Sequence, residues 1–345
     1  MLAEAFGLEL VADKAEMDGL YDYISRGRVL TENNYTQGML PEGCTVFHNH
    51  WGTAPGCAFE AQGKTVVMMP GPPEECVPMF KAYGMPYLQK LSGAHIVSHT
   101  VNIFGMGEST VDSIFAQEMN AMTNPSMAPY AKECDCLLKI TAKAATVAQA
   151  EAMIEPVMRE VKEKLGDVVY GTDVDCVEEA LIKLLEEKPL SFAAAESCTG
   201  GYIAKRFTDL PGASRFFKGG MVTYSNEAKA ALLGIDPALI EEKGAVSFEV
   251  AKAMAENCRR ILGSDVGLGV TGLAGPDGDG IHEVGTVFVS MAVAEGTYVK
   301  ELHLGEYRTR SFVRRMAGNH AFDMLRRYLS GLPVRDCVVL CSGEG

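Results

Sequence analysis

Positive charge is scarce in this chain of 345 residues, where 31 Lys and Arg stand against 45 Asp and Glu for a formal net charge of −14. Binding to phosphate backbones needs clustered basic side chains, so this balance argues against general affinity for nucleic acid. No apolar run approaches the roughly 20 residues of a membrane span, and Met1 is not followed by the basic and apolar segments of a secretory signal. We therefore expect a cytoplasmic protein with neither a nucleic-acid partner nor a membrane partner.

The ten cysteines include no Cys-x-x-Cys pair. Cys134 and Cys136 lie in a predicted strand without a nearby histidine, which indicates a half-buried pair rather than metal ligands. His48 and His50 could ligate a metal, but the sequence suggests no third ligand. Reduced thiols and no metal site are therefore the expectation.

Standard catalytic motifs are missing too. Ser197 lacks a Gly-x-Ser-x-Gly frame, so the nucleophile elbow of an α/β-hydrolase is not supported. The glycine-rich segment 272–280 has neither the Walker lysine nor the dinucleotide-binding spacing. The histidines at 282, 303 and 320 fall in a predicted loop, strand and helix, and none is a convincing base for Ser197.

What the sequence does contain is an alternation of short apolar strands with amphipathic helices, which is typical of an α/β fold. We predict a partial α/β domain, a small α+β module, a complete α/β domain and a tail, at residues 1–91, 92–171, 172–331 and 332–345. The complete α/β domain shows the clearest alternation. Its predicted strands are 190–195, 219–224, 265–271, 285–293 and 298–304, and its predicted helices are 177–187, 201–208, 226–233, 248–262 and 310–329.

The first two segments are less regular. Residues 1–27 have helical spacing, and short strands are predicted at 45–47, 56–60 and 64–69, too few for an independent doubly wound domain. The α+β module has predicted strands at 99–104, 136–142 and 168–170 and predicted helices at 109–119 and 147–165.

The segment Ala193–Gly201, AAAESCTGG, combines the end of a buried strand, a turn rich in hydroxyls and the start of a helix. A helix N-terminus offers free backbone N–H groups and a positive dipole end, where nucleophiles and anion sites are often built. Ser197 is a candidate nucleophile there, and the N–H groups of Thr199, Gly200 and Gly201 are candidate oxyanion donors. The alternative is that Ser197 or Thr199 only caps the helix.

Lysine is the remaining candidate base. Lys229 follows the strand end at Tyr224, and partial burial would lower its pKa enough to accept a proton from Ser197. Tyr224 and Thr271 could complete a hydroxyl relay. The alternative for Lys229 is an ordinary solvated lysine.

Phosphate recognition has candidates in two places. Gly272 and Gly275 lie in the glycine-rich loop after a predicted strand, where the backbone could approach a phosphate. Arg310 and Arg314 share one face at the start of the last helix and suit a phosphate group. The alternative is a solvated helix face.

Taken in order, AAAESCTGG, LPGASRFFKGGMVTYSNEAKAALLG, GAVS and VTGLAGPDG closely resemble the C-terminal domain of the competence/damage-inducible CinA family, a nicotinamide-nucleotide amidase of the PncC-like type. The resemblance implies hydrolysis of nicotinamide mononucleotide to nicotinate mononucleotide and ammonia without a cofactor. It makes Ser197 the nucleophile and Lys229 the base, with Tyr224 and Thr271 in the site and Arg310 or Arg314 on the phosphate. It also implies a small-molecule nucleotide as substrate and a homodimer.

The segment GTAPGCAFEAQGKTVVMMPGPPEE resembles the end of the family's molybdopterin-binding-like (MoCF-like) domain, and residues 92–171 resemble its KH-like module. The opening strands, the Gly-Thr-Glu motif and the phosphate loop of the MoCF-like domain are absent, so a shortened domain is expected. A divalent metal is expected only if that domain retains the ADP-ribose pyrophosphatase activity of its relatives. A non-catalytic, competence-related nucleotide-binding protein is the other alternative.

Overall fold

The computed structural model describes residues 2–25 and 32–341. Contacts between residues divide the chain into two compact units, the first made of residues 1–95 with 144–147 and the second of 96–143 with 148–345. Among the described residues, no helix combines the length and the apolar character needed to cross a membrane.

The first unit contains two small antiparallel sheets. Its elements are α1 (Leu2–Ala5), β1 (Leu10–Ala12), α2 (Lys14–Ser25), α3 (Glu32–Tyr35), β2 (Met39–Pro41), β3 (Thr45–Phe47), β4 (Gly56–Ala61), β5 (Lys64–Met68), α4 (Pro73–Met79) and α5 (Met85–Ser92). The strands β3, β4 and β5 confirm the three predicted ones. A continuous helix over 1–27 is wrong, because β1 interrupts it to pair with β2. Residues 26 and 27 lie outside the described part of the chain.

A four-stranded sheet with two helices follows. Its elements are β6 (His95–Ile103), α6 (Glu108–Ala121), β7 (Ser126–Ala131), β8 (Cys136–Ala144), α7 (Val147–Leu165) and β9 (Val169–Thr172), and the strand order is β7-β8-β6-β9. The sequence did not predict β7, which contains a proline and lies at the sheet edge. Cys134 precedes β8 and is half-buried, whereas Cys136 is buried within it. The predicted α+β character of this segment is confirmed.

The remaining chain forms a six-stranded sheet with helices. Its elements are α8 (Val177–Glu187), β10 (Phe192–Glu196), α9 (Tyr202–Thr208), β11 (Phe217–Val222), α10 (Asn226–Leu233), α11 (Pro237–Lys243), α12 (Phe248–Leu262), β12 (Val266–Gly272), β13 (Thr286–Ala292), β14 (Gly296–His303), α13 (Arg310–Leu329) and β15 (Val338–Cys341). The strand order is β11-β10-β12-β13-β14-β15. Strand β10 is parallel to β11 and β12, and the other pairs are antiparallel. The carboxyl ends of β10, β11 and β12 therefore meet at one edge.

Two predictions in this part need correction, and one helix lacks a prediction. The tail predicted at 332–345 is wrong in part, because β15 extends the sheet by pairing with β14; residues 342–345 lie outside the described part of the chain. The strand predicted at 219–224 ends at Val222, where its pairing with β10 stops, so Tyr224 lies beyond the strand. Helix α11 was not predicted, although Asp236 caps it and a proline begins it.

Alternate residues of β10 face opposite sides of the sheet. Phe192 and Ala194 belong to an apolar cluster with residues of α8, α9 and α13, whereas Ala193 and Ala195 pack with residues of α10, α11 and α12. Gly267 and Gly269 of β12 allow α12 to approach closely, because a Cβ on Gly267 would lie 2.1 Å from a carbonyl oxygen of that helix. The mixed α/β architecture is as predicted, and the helices lie on both faces of the sheet.

Candidate active site

Ser197 lies directly after β10, at the edge where the parallel strands end. Its N–H donates to the carbonyl of Val270 on β12 (2.9 Å), which continues the sheet pairing by one residue. The chain then turns through Gly200 and Gly201, both at positive φ (59° and 88°), before α9 begins. A residue with a Cβ would be strained in this conformation, so the glycines allow the strand to turn into the helix within five residues.

Lys229 reaches this turn from α10. Ser225 caps α10 by accepting from the N–H of Ala228 (3.1 Å), and the helix places the Lys229 side chain in the interior, 1% exposed. Its Nζ lies 3.1 Å from the Oγ of Ser197 and 3.0 Å from the carbonyl oxygen of Thr223. The alternative of a solvated lysine is therefore wrong.

Burial lowers the pKa of Lys229 from its ordinary value, because a charged ammonium loses its hydration in the interior. Burial also raises the pKa of the neighbouring Cys198 thiol to about 12, so this cysteine stays protonated at neutral pH and is a poor nucleophile. At this turn the serine hydroxyl thus lies within hydrogen-bond distance of an amine of lowered pKa, whereas the neighbouring thiol is protonated.

The backbone N–H groups of the first turn of α9 are all occupied. Tyr202 donates to the Thr199 carbonyl (3.2 Å) and Lys205 to the Gly201 carbonyl (2.9 Å). Ile203 and Ala204 donate to the carboxylate oxygens of Glu196 (3.0 and 2.9 Å). The N–H groups of residues 202–205 are therefore not free, and the candidate donors predicted from the sequence all precede them.

The three candidate oxyanion donors differ in availability. The Gly200 N–H donates to the Ser197 carbonyl (3.0 Å) and is not free. Across residues 2–25 and 32–341, the N–H groups of Thr199 and Gly201 have no hydrogen-bond acceptor. The Thr199 hydroxyl is also buried without a partner. Among the described residues, two of the three predicted donors therefore have no protein acceptor, and Thr199 is itself fully buried.

The predicted relay through Tyr224 and Thr271 is not formed. The Thr271 hydroxyl donates to the Ala245 carbonyl (2.7 Å) and ties β12 to the segment before α12. Tyr224 is 59% exposed, and its hydroxyl accepts from Arg310 (2.7 Å). In the part of the chain that the structure describes, neither hydroxyl bonds to Ser197 or Lys229.

The two arginines of α13 have different contacts. Exposed Arg310 donates to the Gly275 carbonyl (2.8 Å) as well as to Tyr224, so it connects the glycine-rich loop with the loop after β11. Half-buried Arg314 donates through Nε and Nη2 to the Thr199 carbonyl (3.1 and 2.6 Å). Arg314 therefore braces the turn that carries Ser197, whereas Arg310 is exposed and contacts the two neighbouring loops.

Two residues at the site were not found by sequence reasoning. Glu196 is 1% exposed and binds the first turn of α9. Thr223 supplies the carbonyl that accepts from Lys229. A carboxylate at the end of an otherwise apolar strand was a usable signal for Glu196, whereas a backbone carbonyl leaves no signal in the sequence.

Gly272 ends β12, where a Cβ would lie 2.7 Å from the carbonyl oxygen of Thr286, so it serves sheet packing.

The two histidines singled out in the first unit have protein partners. His48 bonds to Glu16 and His50 bonds to Tyr83. Within the described residues, no group of three or more His, Cys, Asp or Glu side chains could hold a metal ion.

Comparison with known proteins places these features in one family. The profile of the CinA C-terminal domain matches residues 174–329, and that of the damage-inducible protein CinA KH domain matches residues 98–171. A CinA-like protein of Desulfovibrio desulfuricans is 42% identical over 96% of this chain and 79% of its own length. A putative competence-damage inducible protein of Acetivibrio thermocellus is 42% identical over 96% of this chain and 80% of its own length. A solved structure from Agrobacterium tumefaciens, described as competence/damage inducible protein CihA, is 31% identical and covers 44% of this chain and 93% of its own, with a TM-score of 0.42. The chain belongs to the CinA family.

Proposed function

We propose that this protein hydrolyses the carboxamide of nicotinamide mononucleotide to nicotinate mononucleotide and ammonia. The observation that carries the proposal is the buried pair formed by Ser197 and Lys229, with 3.1 Å between Oγ and Nζ. A hydroxyl within hydrogen-bond reach of an amine of lowered pKa is the arrangement needed for acyl transfer without histidine.

Lys229 acts as the base in this proposal. A neutral amine has two N–H donors and one lone pair. The donor directed at the Thr223 carbonyl (3.0 Å) orients Nζ so that its lone pair can accept the Ser197 proton. Ser197 Oγ attacks the carboxamide carbon as this proton moves to Nζ.

The tetrahedral intermediate carries a negative oxygen, and we assign the N–H groups of Thr199 and Gly201 to it because neither has an acceptor among the described residues. Lys229 then returns its proton to the departing nitrogen, and ammonia leaves as the carbon–nitrogen bond breaks. Water, deprotonated by Lys229, attacks the resulting serine ester. Lys229 returns this proton to Ser197 as the ester bond breaks, and the product acid ionises to a carboxylate by losing its own proton to solvent.

The phosphate of the mononucleotide is assigned to Arg310. Its guanidinium is exposed and keeps donors beyond the two used on Gly275 and Tyr224, and a planar guanidinium matches the geometry of a phosphate group. Arg314 has two of its donors on the Thr199 carbonyl, which suits holding the turn better than holding a ligand.

The test is ammonia release from nicotinamide mononucleotide by the wild-type protein and by Ser197→Ala. We expect release by the wild type and none by the variant, since the nucleophile is gone while the fold stays. Ser214→Ala, the same change at an exposed serine, serves as the control and should keep full activity.

Two outcomes would refute the proposal. Ammonia release by Ser197→Ala at the wild-type rate would remove the nucleophile. Binding of the mononucleotide by the wild type without any ammonia release, measured by calorimetry, would favour the non-catalytic nucleotide-binding alternative.

A further inference from the structure

Glu196 is a buried carboxylate that lies immediately before Ser197. Glu196 is 1% exposed. One of its carboxylate oxygens accepts from the N–H of Ile203 (3.0 Å), and the other accepts from the N–H of Ala204 (2.9 Å). These bonds close a ring around the turn that contains Ser197. The turn is therefore held at both ends by one side chain.

The backbone of Glu196 is tied to the other half of the pair. Its carbonyl accepts from the N–H of Thr223 (2.8 Å), and the carbonyl of that same Thr223 accepts from Lys229 Nζ (3.0 Å). Any displacement of Glu196 is thus passed to the turn that holds Ser197 and to the peptide that orients Lys229.

Burying a carboxylate is costly unless its oxygens are hydrogen-bonded. A neutral capping residue such as serine at the start of α9 would satisfy one of these N–H groups without this cost. The bidentate carboxylate instead fixes the orientation of α9 relative to the strand end, because two acceptors in one plane allow little rotation.

We propose that Glu196 is a positioning residue that sets the distance between Ser197 Oγ and Lys229 Nζ; its effect on amide hydrolysis rests on the proposed function. In Glu196→Gln the amide keeps one acceptor oxygen, but its NH₂ group faces the second N–H. The turn must shift to relieve this contact, and Ser197 moves away from the base.

Glu178 provides a matched control. It is also 1% exposed, and it forms an ion pair with Arg206 near the other end of α9. Glu178→Gln therefore removes a buried charge that contacts the same helix but not the turn. A purely stabilising role for Glu196 predicts that the two Gln variants behave alike once folded.

The experiment measures the rate at which a fluorophosphonate probe labels Ser197, together with kcat and KM for ammonia release, at a temperature where circular dichroism shows each variant folded. Ser197→Ala sets the background of labelling. For Glu196→Gln we expect both the labelling rate and kcat to fall about 10²-fold, the size of effect that a misplacement near 1 Å produces, with a smaller change in KM. For Glu178→Gln we expect wild-type labelling and kcat.

Wild-type labelling by folded Glu196→Gln would overturn the inference, and so would an equal loss in both Gln variants. If Glu196→Gln does not fold, Glu196→Asp decides, because its shorter carboxylate keeps the charge but cannot reach both N–H groups; undiminished labelling of that variant would overturn the inference. Labelling of the wild type without ammonia release would refute the proposed function alone, and the labelling rates would still test Glu196.

Discussion

Two substitutions of Lys229 distinguish a role as a proton-accepting base from a role as a fixed positive charge. Lys229→Arg keeps a positive charge near Ser197, but a guanidinium does not give up its proton in proteins and cannot accept one. Lys229→Met keeps the length of the side chain and removes the amine. If Lys229 is the base, both variants lose activity; if only its charge matters, Lys229→Arg stays active.

The size of the loss follows from the geometry of the amine. Among the described residues, its polar contacts are Ser197 Oγ at 3.1 Å and the Thr223 carbonyl at 3.0 Å, and neither of these groups can act as the base in its place. Removing a positioned general base costs about 10² to 10⁴ in rate, which corresponds to about 2.7 to 5.4 kcal/mol in activation free energy at about 1.36 kcal/mol per factor of ten. We expect kcat to fall by that factor in both variants.

The assay is steady-state ammonia release as a function of pH. Burial lowers the pKa of Lys229. The wild-type kcat should therefore decline as the pH falls through this lowered pKa, which lies below the ordinary lysine value of about 10.4. The residual activity of Lys229→Met should lack this decline. Lys205→Met is the control, since the Lys205 side chain is 68% exposed, and it should retain the wild-type profile.

The lowered pKa of Lys229 also makes the free energy of unfolding depend on pH. Between the lowered pKa of folded Lys229 and its unfolded value, the unfolded state binds more protons, so the free energy of unfolding rises with pH in that window. A Lys229→Arg variant that keeps the wild-type kcat would refute the assignment of Lys229 as base. The prediction would also fail if the wild-type kcat stayed constant as the pH fell to the onset of acid unfolding, because protonation of Lys229 should lower kcat before that point.

Four further substitutions have distinct expected results. Arg310→Ala should raise KM more than it lowers kcat, whereas Arg314→Ala should mainly lower kcat; the reverse split in steady-state kinetics would exchange their roles. Gly267→Ala should lower the free energy of unfolding in urea by about 1–3 kcal/mol, since its Cβ would lie 2.1 Å from the Ala255 carbonyl oxygen, and unchanged stability would mean that α12 shifts freely. Burial lowers the pKa of His320 to about 4, so stability should fall as the pH drops from about 6.5 to 4, by about 3 kcal/mol when complete. The His320→Gln variant should lose that part of the pH dependence in urea titrations, and an identical profile would contradict burial of a neutral imidazole.

Helix limits were the best predicted part of the fold because local chemistry sets them. The long helices at 248–262 and 310–329 lie where the periodicity places them. Their first residues follow Ser247 and Thr309, whose side chains accept from backbone N–H groups in the first turn. A capping hydroxyl and apolar spacing are both visible in the sequence.

Strand limits were less well predicted because pairing sets them. The strand expected at 219–224 runs over Phe217–Val222, where its partner β10 lies beside it. The last strand, Val338–Cys341, belongs to a segment without a local pattern and exists because β14 offers an unpaired edge. A strand of four residues has too little local preference to be predicted without its neighbour.

The sequence by itself determined which side chains are available: a serine in a turn after an apolar strand, a lysine one helix later and two arginines on one helical face. Only the tertiary structure decided how far each is exposed and what it contacts. Ser197 and Lys229 are 32 residues apart in sequence, and they meet because parallel strands bring their carboxyl ends to one edge. Desolvation of Lys229 and occupation of the α9 N–H groups by Glu196 depend on packing around the site, and packing is a property of the folded chain as a whole.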